Sequence, residues 1–324
     1  MLRFAKPEGK YNLILEEAPI PEPGPGEVRV KAVRSLISRG SEMGARYTRE
    51  HAVSPNIMGY SLAGTVDALG EGISHLKVGD RVVAVAPHAQ YVVRSALIPT
   101  PKDQAWVTPI ADDVSFEQAP FHPLCCGAVT WVGVEDIQDN HTVVILGQGL
   151  VGSLMLQVVK ASSNVRVVAV DALDSRCAMA ESMGADVVIN AASEDPVQAV
   201  RKLTSGIGAD IVIYAVGGPA GPKAFEQGLD MLAVDGLLHL IGLHEDEPLP
   251  LMSGKIQRRK LIGGYYGATI GARQSRRAMD LLANGAIDTE AMTTHRFPFT
   301  QGPEAFDLLY NRPNDAFGVL FEWD

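Results

Sequence analysis

The stretch His141-Thr-Val-Val-Ile-Leu-Gly147-Gln-Gly149-Leu-Val-Gly152, with Val165-Arg-Val-Val-Ala-Val-Asp171 after it, decides the fold. An apolar run, Val143 to Leu146, opens straight into G-x-G-x-x-G, and an amphipathic helical pattern continues from Leu154 to Lys160. A second apolar strand then ends on a carboxylate. Each part has a physical task. Gly147 permits a tight turn, Gly149 lets backbone approach a pyrophosphate, and Gly152 lets helix and strand pack closely. The helix N-terminus, with Gln148, Leu150 and Val151 between the glycines, turns unpaired N–H groups and a positive dipole end towards phosphate. Asp171 stands where it accepts hydrogen bonds from ribose hydroxyls. The glycines alone are a weak signal; strand, glycines, helix, strand and acid in this order predict a dinucleotide site. Asp171 repels a 2′-phosphate, and Ala172, Leu173 and Asp174 bring no cation beside it. The expected cofactor is therefore NAD(H) rather than NADP(H). Arg176 is either a clamp on the ribose or pyrophosphate edge or a solvated helix residue.

Composition sets the outer bounds. A chain of 324 residues suits two domains, and 46% apolar with 20% charged residues is ordinary for an enzyme with sizeable cores. A net charge of −10 argues against a nucleic-acid or anionic-membrane surface. The cluster Arg258-Arg259-Lys260 is too short to change that. The N-terminal stretch has no apolar core of a signal peptide, and no apolar run reaches membrane-spanning length. Three cysteines, Cys125 and Cys126 adjacent, make no disulfide framework. A cytoplasmic, reduced setting is expected.

Working outward, the residues before about 115 are β-rich. Tyr11–Glu16, Glu27–Val33, Ser61–Gly70, Asp80–Val85 and Tyr91–Arg94 alternate or run apolar between Gly and Pro breaks. Helical spacing runs from Glu117 to Glu135. Strands are then predicted at Val143–Leu146, Val165–Val170, Asp186–Ile189, Ile211–Val216, Leu237–Ile241 and Leu261–Tyr266, with helices Arg176–Met183, Pro196–Thr204 and Pro222–Leu232 between them. Such alternation makes an α/β fold with a doubly wound parallel sheet. A return follows: helices Ala272–Ala283 and Pro303–Leu309, then a strand Gly318–Glu322.

This order resembles the medium-chain dehydrogenase/reductase superfamily, the zinc alcohol and polyol dehydrogenases with their zinc-free quinone reductase relatives. The markers are Pro23-Gly-Pro-Gly-Glu27-Val, Gly64-Thr-Val-Asp-Ala-Leu-Gly-Glu-Gly72, Val78-Gly-Asp-Arg-Val82, the Gly147–Gly152 turn and Thr294-His-Arg-Phe-Pro298. The resemblance implies a GroES-like β-rich catalytic domain at 1–122, a Rossmann domain at 123–267, and a return to the catalytic domain at 268–324. It implies substrate in a cleft between domains. It further implies Val216, Gly242, Leu243 and Tyr266 beside the cofactor, and a homodimer joined through the last strands of the Rossmann sheet.

The departures matter as much. Zinc members hold a Cys where this chain has Ser38, and Gly-His-Glu where it has Gly59-Tyr60-Ser61. A third ligand position falls on His122. A Ser, Tyr and His set is a poor tetrahedral zinc site, because neutral hydroxyls bind weakly beside thiolate and imidazole. The short link Val85–Tyr91 replaces the lobe of four cysteines. No metal is expected.

Without zinc, a side chain must move the proton, and an imidazole titrating near neutrality suits the task. The expectation is that His122 and Tyr60, with Ser38, form a metal-free catalytic group. The competing reading is that they only fill the emptied pocket. Arg39 and Glu42 contact substrate or form an ion pair with each other. His88 is a solvated loop residue or a substrate contact, and His239, inside an apolar strand, is a hydrogen-bonded core residue. The expected function is zinc-independent, NAD-dependent hydride transfer with a polyol, sugar or related secondary alcohol or ketone. The alternatives are an NAD(P)H-dependent quinone or enone reductase, against which Asp171 counts, and a nucleotide-sensing protein without catalysis.

Overall fold

Period-two alternation drives the first part of the chain. The structure, a computed structural model, describes residues 1–99, 104–243, 248–264 and 271–323. Strands β1 (Leu2–Ala5), β2 (Ile14–Glu17), β3 (Glu27–Leu36), β4 (Leu62–Leu69), β5 (Arg81–Ala84), β6 (Tyr91–Ser95) and β7 (Val107–Pro109) come first. In β3, Val28, Val30 and Ala32 are buried while Arg29 and Lys31 are not. Between β3 and β4 the chain makes a wide helical segment, Arg39–Tyr47, closed by an i to i+5 bond from the Thr48 N–H to the Met43 carbonyl at 3.2 Å. Such widened turns bulge outward and recur at functional sites. The helical spacing expected over Glu117–Glu135 resolves into a short turn, Ala119–Phe121, and helix α1 (His122–Val132). Pro123 sits in its first turn, where the missing N–H costs nothing.

The chain divides into two compact units, Met1–Gly127 with Gly267–Asp324, and Ala128–Tyr266. In the second unit, β8 (Thr142–Leu146), α2 (Leu150–Ser162), β9 (Arg166–Asp171), α3 (Asp174–Ser182), β10 (Val187–Asn190), α4 (Pro196–Leu203), β11 (Ala209–Tyr214), α5 (Gly221–Met231), β12 (Leu232–Leu240) and β13 (Lys260–Gly263) follow in turn. All sheet pairings are parallel, in the order β10-β9-β8-β11-β12-β13. The order reverses direction between β8 and β11, the switch point at which open α/β sheets leave a crevice beyond their carboxyl ends. Its core holds Val144, Val168, Val212, Leu238, Tyr214 and Phe225. The sequence placed Asp186 inside a strand; instead its carboxylate accepts the Val167 N–H at 2.7 Å just before β10. Strand β12 begins at Leu232, earlier than expected, with a register shift before Leu237.

The return supplies α6 (Ala272–Ala283), α7 (Thr289–Met292), β14 (Thr293–Pro298), α8 (Gly302–Asn311) and β15 (Gly318–Glu322). Strand β15 pairs antiparallel with β3, Phe321 opposite Ser35, and completes a sheet β14-β15-β3-β4-β5-β7 with β6 also on β3. The last residues of the chain thus reach the loop that carries Ser38. Phe4, Val30, Leu62, Phe306 and Phe321 centre this core.

Candidate active site

In the second unit the glycine turn is built as the spacing requires. Gly147 has φ +87°, and a Cβ there would meet the Ala215 carbonyl oxygen at 2.9 Å. At Gly152 a Cβ would lie 1.8 Å from the Gly147 carbonyl oxygen, so α2 crosses β8 at backbone contact. Gly149 caps α2, whose first turn carries no acidic side chain. Leu150 is buried and Val151 partly so. The N–H of Gln148 donates to Asp171 Oδ2 at 2.7 Å, while Asp171 Oδ1 accepts from Ala172 and Leu173 N–H groups at 2.8 and 3.0 Å. Oδ2, which accepts only one of these bonds, keeps a further lone-pair direction for a ribose hydroxyl. The Gln148 side chain turns inward, donating to the Ile145 carbonyl at 3.0 Å.

Arg176 is buried, which removes the solvated reading, and its Nη1 donates to the Gln148 carbonyl at 3.1 Å. It stiffens the turn from below. Gly242, just past β12, donates its N–H at 2.7 Å to the carbonyl of Tyr214, the last residue of β11, and Leu243 beside it is exposed. Val216 touches the Gly147 turn, its Cγ2 3.0 Å from where a Cβ on that glycine would lie. Tyr266, Tyr265 and His244 lie outside the described residues. These groups fit a dinucleotide: backbone donors and a helix end for phosphates, and an acceptor for ribose. His239 is the core histidine the sequence suggested. Its partner Glu135, at 2.7 Å from Nδ1, was not legible, and burial raises that carboxyl's proton affinity.

In the first unit, Tyr60 donates its phenol proton to Ser38 Oγ at 2.5 Å. Burial holds the phenol above its ordinary pKa, the bonds to Ser38 and Ser41 opposing. Beneath this pair lies a buried relay. Glu42 accepts the Ser38 N–H at 2.8 Å and pairs with His88 Nε2 at 2.9 Å; His88 Nδ1 faces Ser35 Oγ at 2.8 Å, and Trp323 Nε1 donates to the same oxygen at 2.8 Å. Trp323 only donates and the carboxylate only accepts. A neutral His88 therefore carries its proton on Nε2 and receives the Ser35 hydroxyl proton at Nδ1. Glu42 and His88 are both 0% exposed, and a Cβ at Gly59 would strike the His88 ring at 2.6 Å. These are corrections. Neither Glu42 nor His88 reaches substrate, because both are sealed in the core, and His88 is not a solvated loop residue. The alternative of an Arg39–Glu42 ion pair is not realised: Arg39 Nε donates to the Leu309 carbonyl at 3.0 Å instead.

His122 also departs from expectation. It is buried, its Nε2 stands 3.0 Å from the Ser275 carbonyl, and Cys126 Sγ lies 3.6 Å away. It shares no hydrogen bond with Ser38 or Tyr60 among the described residues. Burial pushes its pKa down to about 4, against the Ser275 bond, and the neighbouring Cys125 thiol up to about 12. A neutral, committed ring is a poor acid/base at neutral pH.

The donor set does not fit zinc. Ser38 and Tyr60 are neutral hydroxyls bonded to each other, weak zinc donors beside thiolate, and His122, its Nε2 turned to the Ser275 carbonyl, shares no hydrogen bond with either among the described residues. No three His, Cys, Asp or Glu side chains among the described residues gather as a metal-binding group.

Known families match this chain in the expected order. Residues 24–97 match the alcohol dehydrogenase GroES-like domain and residues 151–284 the zinc-binding dehydrogenase family. Sorbitol dehydrogenase of Pongo abelii is 30% identical over 336 residues, covering 93% of this chain and 90% of that protein. L-threonine 3-dehydrogenase of Pyrococcus abyssi is 30% identical over 348 residues, covering 95% of each. Among solved structures, the alcohol dehydrogenase TADH from Thermus sp. ATN1 superposes with a TM-score of 0.83 at 23% identity, covering 99% of each chain. By fold, fingerprint and relatives spanning nearly its full length, the chain belongs to the zinc-type, alcohol dehydrogenase-like branch of the medium-chain dehydrogenase/reductase superfamily and is an oxidoreductase.

Proposed function

We propose that this protein is a zinc-independent, NAD(H)-dependent dehydrogenase transferring hydride between nicotinamide and a polyol, sugar or related secondary alcohol or ketone. One observation carries the reading. The Tyr60 phenol donates to Ser38 Oγ at 2.5 Å, at positions where zinc members hold ligands. Relatives named for sorbitol and threonine support an alcohol as substrate. The nicotinamide dinucleotide, when bound, supplies the hydride donor or acceptor. The Gly147–Gly152 turn offers N–H groups to its phosphates, and Asp171 takes the ribose hydroxyls and disfavours a 2′-phosphate.

Proton movement falls to the hydroxyl pair. Because burial raises its pKa, Tyr60 stays protonated at neutral pH and acts first as a donor to the substrate oxygen. In reduction, the phenol proton passes to the oxygen of the carbon that receives hydride, and a solvent proton reaches the phenolate through the Ser38 hydroxyl, which takes up one proton as it gives one. In oxidation the transfers run in reverse: the alcohol proton passes to Tyr60 as the phenol proton leaves through the Ser38 hydroxyl to solvent. The Glu42–His88 pair holds Ser38 in place through its N–H, and His122 takes no proton in this scheme. A homodimer joined through the β13 edge and a cytoplasmic setting complete the proposal; among the described residues, no helix is long and apolar enough to cross a membrane.

The test is direct. Protein stripped with a strong chelator and checked by metal analysis is assayed with NAD+ and NADP+ against polyols and sugars, and with NADPH against quinones. Metal-free turnover of alcohols with NAD+ is expected, and Tyr60→Phe lowers kcat by about 10²–10⁴ without loosening NADH. Activity that returns only with added zinc refutes the proposal, as does an unchanged kcat in Tyr60→Phe.

A further inference from the structure

The wall that carries Tyr60 also carries two guanidinium groups. A cavity of about 410 Å³ in the first unit is lined by Tyr60, Arg46, Arg94, Glu27, Asn56 and Trp106, among others. Its volume suits a small polar molecule. Arg46 stands with its guanidinium carbon 6.0 Å from the Tyr60 ring centroid. Its Nη1 is buried and has no hydrogen-bond partner among the described residues. A buried donor without an acceptor costs free energy, and a cationic one costs more. Arg94 is aimed by its own bonds: Nε donates to the Val85 carbonyl at 2.7 Å and Nη1 to the Val93 carbonyl at 2.8 Å. The facing acid, Glu27, has one oxygen tied to the Gly24 N–H at 2.9 Å. Among the described residues, the cavity wall therefore holds two guanidinium groups against one carboxylate. Asn56 adds a polar group for hydroxyls, and the partly exposed Trp106 and Ile57 add apolar surface for a carbon chain.

We propose that the substrate oxidised or reduced at Tyr60 carries an anionic group, a phosphate monoester or a carboxylate, which Arg46 and Arg94 bind. This rests on the dehydrogenase reading and narrows it from neutral alcohols to charged ones. The guanidinium of Arg46 donates to the anion from the cavity wall. Arg94 adds charge from a fixed direction, and the hydroxyl-bearing carbons extend towards the phenol. A neutral polyol fills the same volume but leaves the excess positive charge unbalanced.

The experiment compares kcat/KM, with NAD+, for glucitol, glucitol 6-phosphate and gluconate. One of the anionic compounds is expected to exceed glucitol by at least about tenfold, mainly through KM, as a charge-assisted contact provides. Which one it is identifies the anion. In Arg46→Gln that preference collapses towards unity, and Arg46→Lys, which keeps charge but loses the fork, retains part of it. Inorganic phosphate competes with the preferred substrate in the unsubstituted protein, a readout that needs no variant. Binding without turnover is followed by Trp106 fluorescence on adding inorganic phosphate, with Trp106→Phe as the control. Equal kcat/KM for glucitol and both anions, or a preference untouched by Arg46→Gln, overturns the anion site while leaving alcohol oxidation standing. Phosphate binding lost in Arg46→Gln, with no alcohol oxidised, upholds the anion site and sinks the dehydrogenase reading.

Discussion

Replacing His122 by glutamine tests how the fold uses a buried imidazole. The glutamine amide can donate to the Ser275 carbonyl as Nε2 does, but it does not titrate. In the native protein, burial lowers the ring from an ordinary 6.5 to about 4, the bond to Ser275 acting in the opposite sense. Between those values the unfolded chain binds a proton that the folded chain refuses. The stability at stake is therefore fully present above the unfolded pKa and is lost as pH falls towards 4. The whole window is worth roughly 3 kcal/mol, of which about 2 kcal/mol disappears between about pH 7 and about pH 5. Urea denaturation of both proteins at the two pH values measures it. Other titrating groups are common to both and cancel in the difference. His122→Gln should lose less stability on acidification by about 2 kcal/mol, although its own stability at neutral pH is lower. Identical acid dependence in the two proteins would show that the ring is not held neutral. The catalytic consequence is checked in the same variant: its pH–rate profile should keep the native shape.

Three further outcomes follow from the geometry. Gly152→Ala drives a methyl into the Gly147 carbonyl, backbone that cannot swing aside; stability should fall by about 1–3 kcal/mol and NADH affinity, read by nicotinamide fluorescence, by about tenfold or more. Asp171→Ala removes the acceptor of three backbone N–H groups and the charge that opposes a 2′-phosphate; the NAD+ to NADP+ ratio of kcat/KM should drop by about 10- to 100-fold, and an unchanged ratio removes Asp171 from cofactor choice. Glu42→Ala strands the buried Ser38 N–H and His88 Nε2 without an acceptor; denaturation should register a loss of about 2–5 kcal/mol, and a loss under about 1 kcal/mol would show the relay to be ornamental.

The parts of the site that could be read in advance are those governed by short spacings. The turn from Gly147 to Gly152 was legible because a close crossing of strand and helix leaves room for hydrogen alone at fixed intervals. Helix Ala272–Ala283 and strand Gly318–Glu322 kept their expected limits because apolar periodicity marks both ends. The ends of β12 and β10 were less legible. A register shift and a backbone-capping aspartate depend on neighbouring strands, not on the strand's own residues.

The side chains of the first unit show where local reading stops. His88 sits in a short link between strands, and by composition alone it belongs in water. Its burial follows from Phe4 and Phe321, whose rings stand 5.7 and 5.4 Å away, and from Glu42 of the Arg39–Tyr47 segment. His122 looked like an acid/base because its alignment pointed to a lost ligand. Ser275, far along the chain on α6, takes its nitrogen instead. Arg46 and Arg94 carried no motif, and only the folded wall brings them beside Tyr60.

Residue order by itself determined the two-part α/β architecture, the dinucleotide turn and the acid at the end of β9, since steric limits on backbone and strand–helix alternation act over a few residues. Tertiary structure alone decided which polar groups remain available for chemistry. Partnership and burial are set by residues brought together from distant parts of the chain, and they turned Glu42, His88 and His122 inward while leaving the hydroxyl of Tyr60 on Ser38 and the guanidinium of Arg46 beside it.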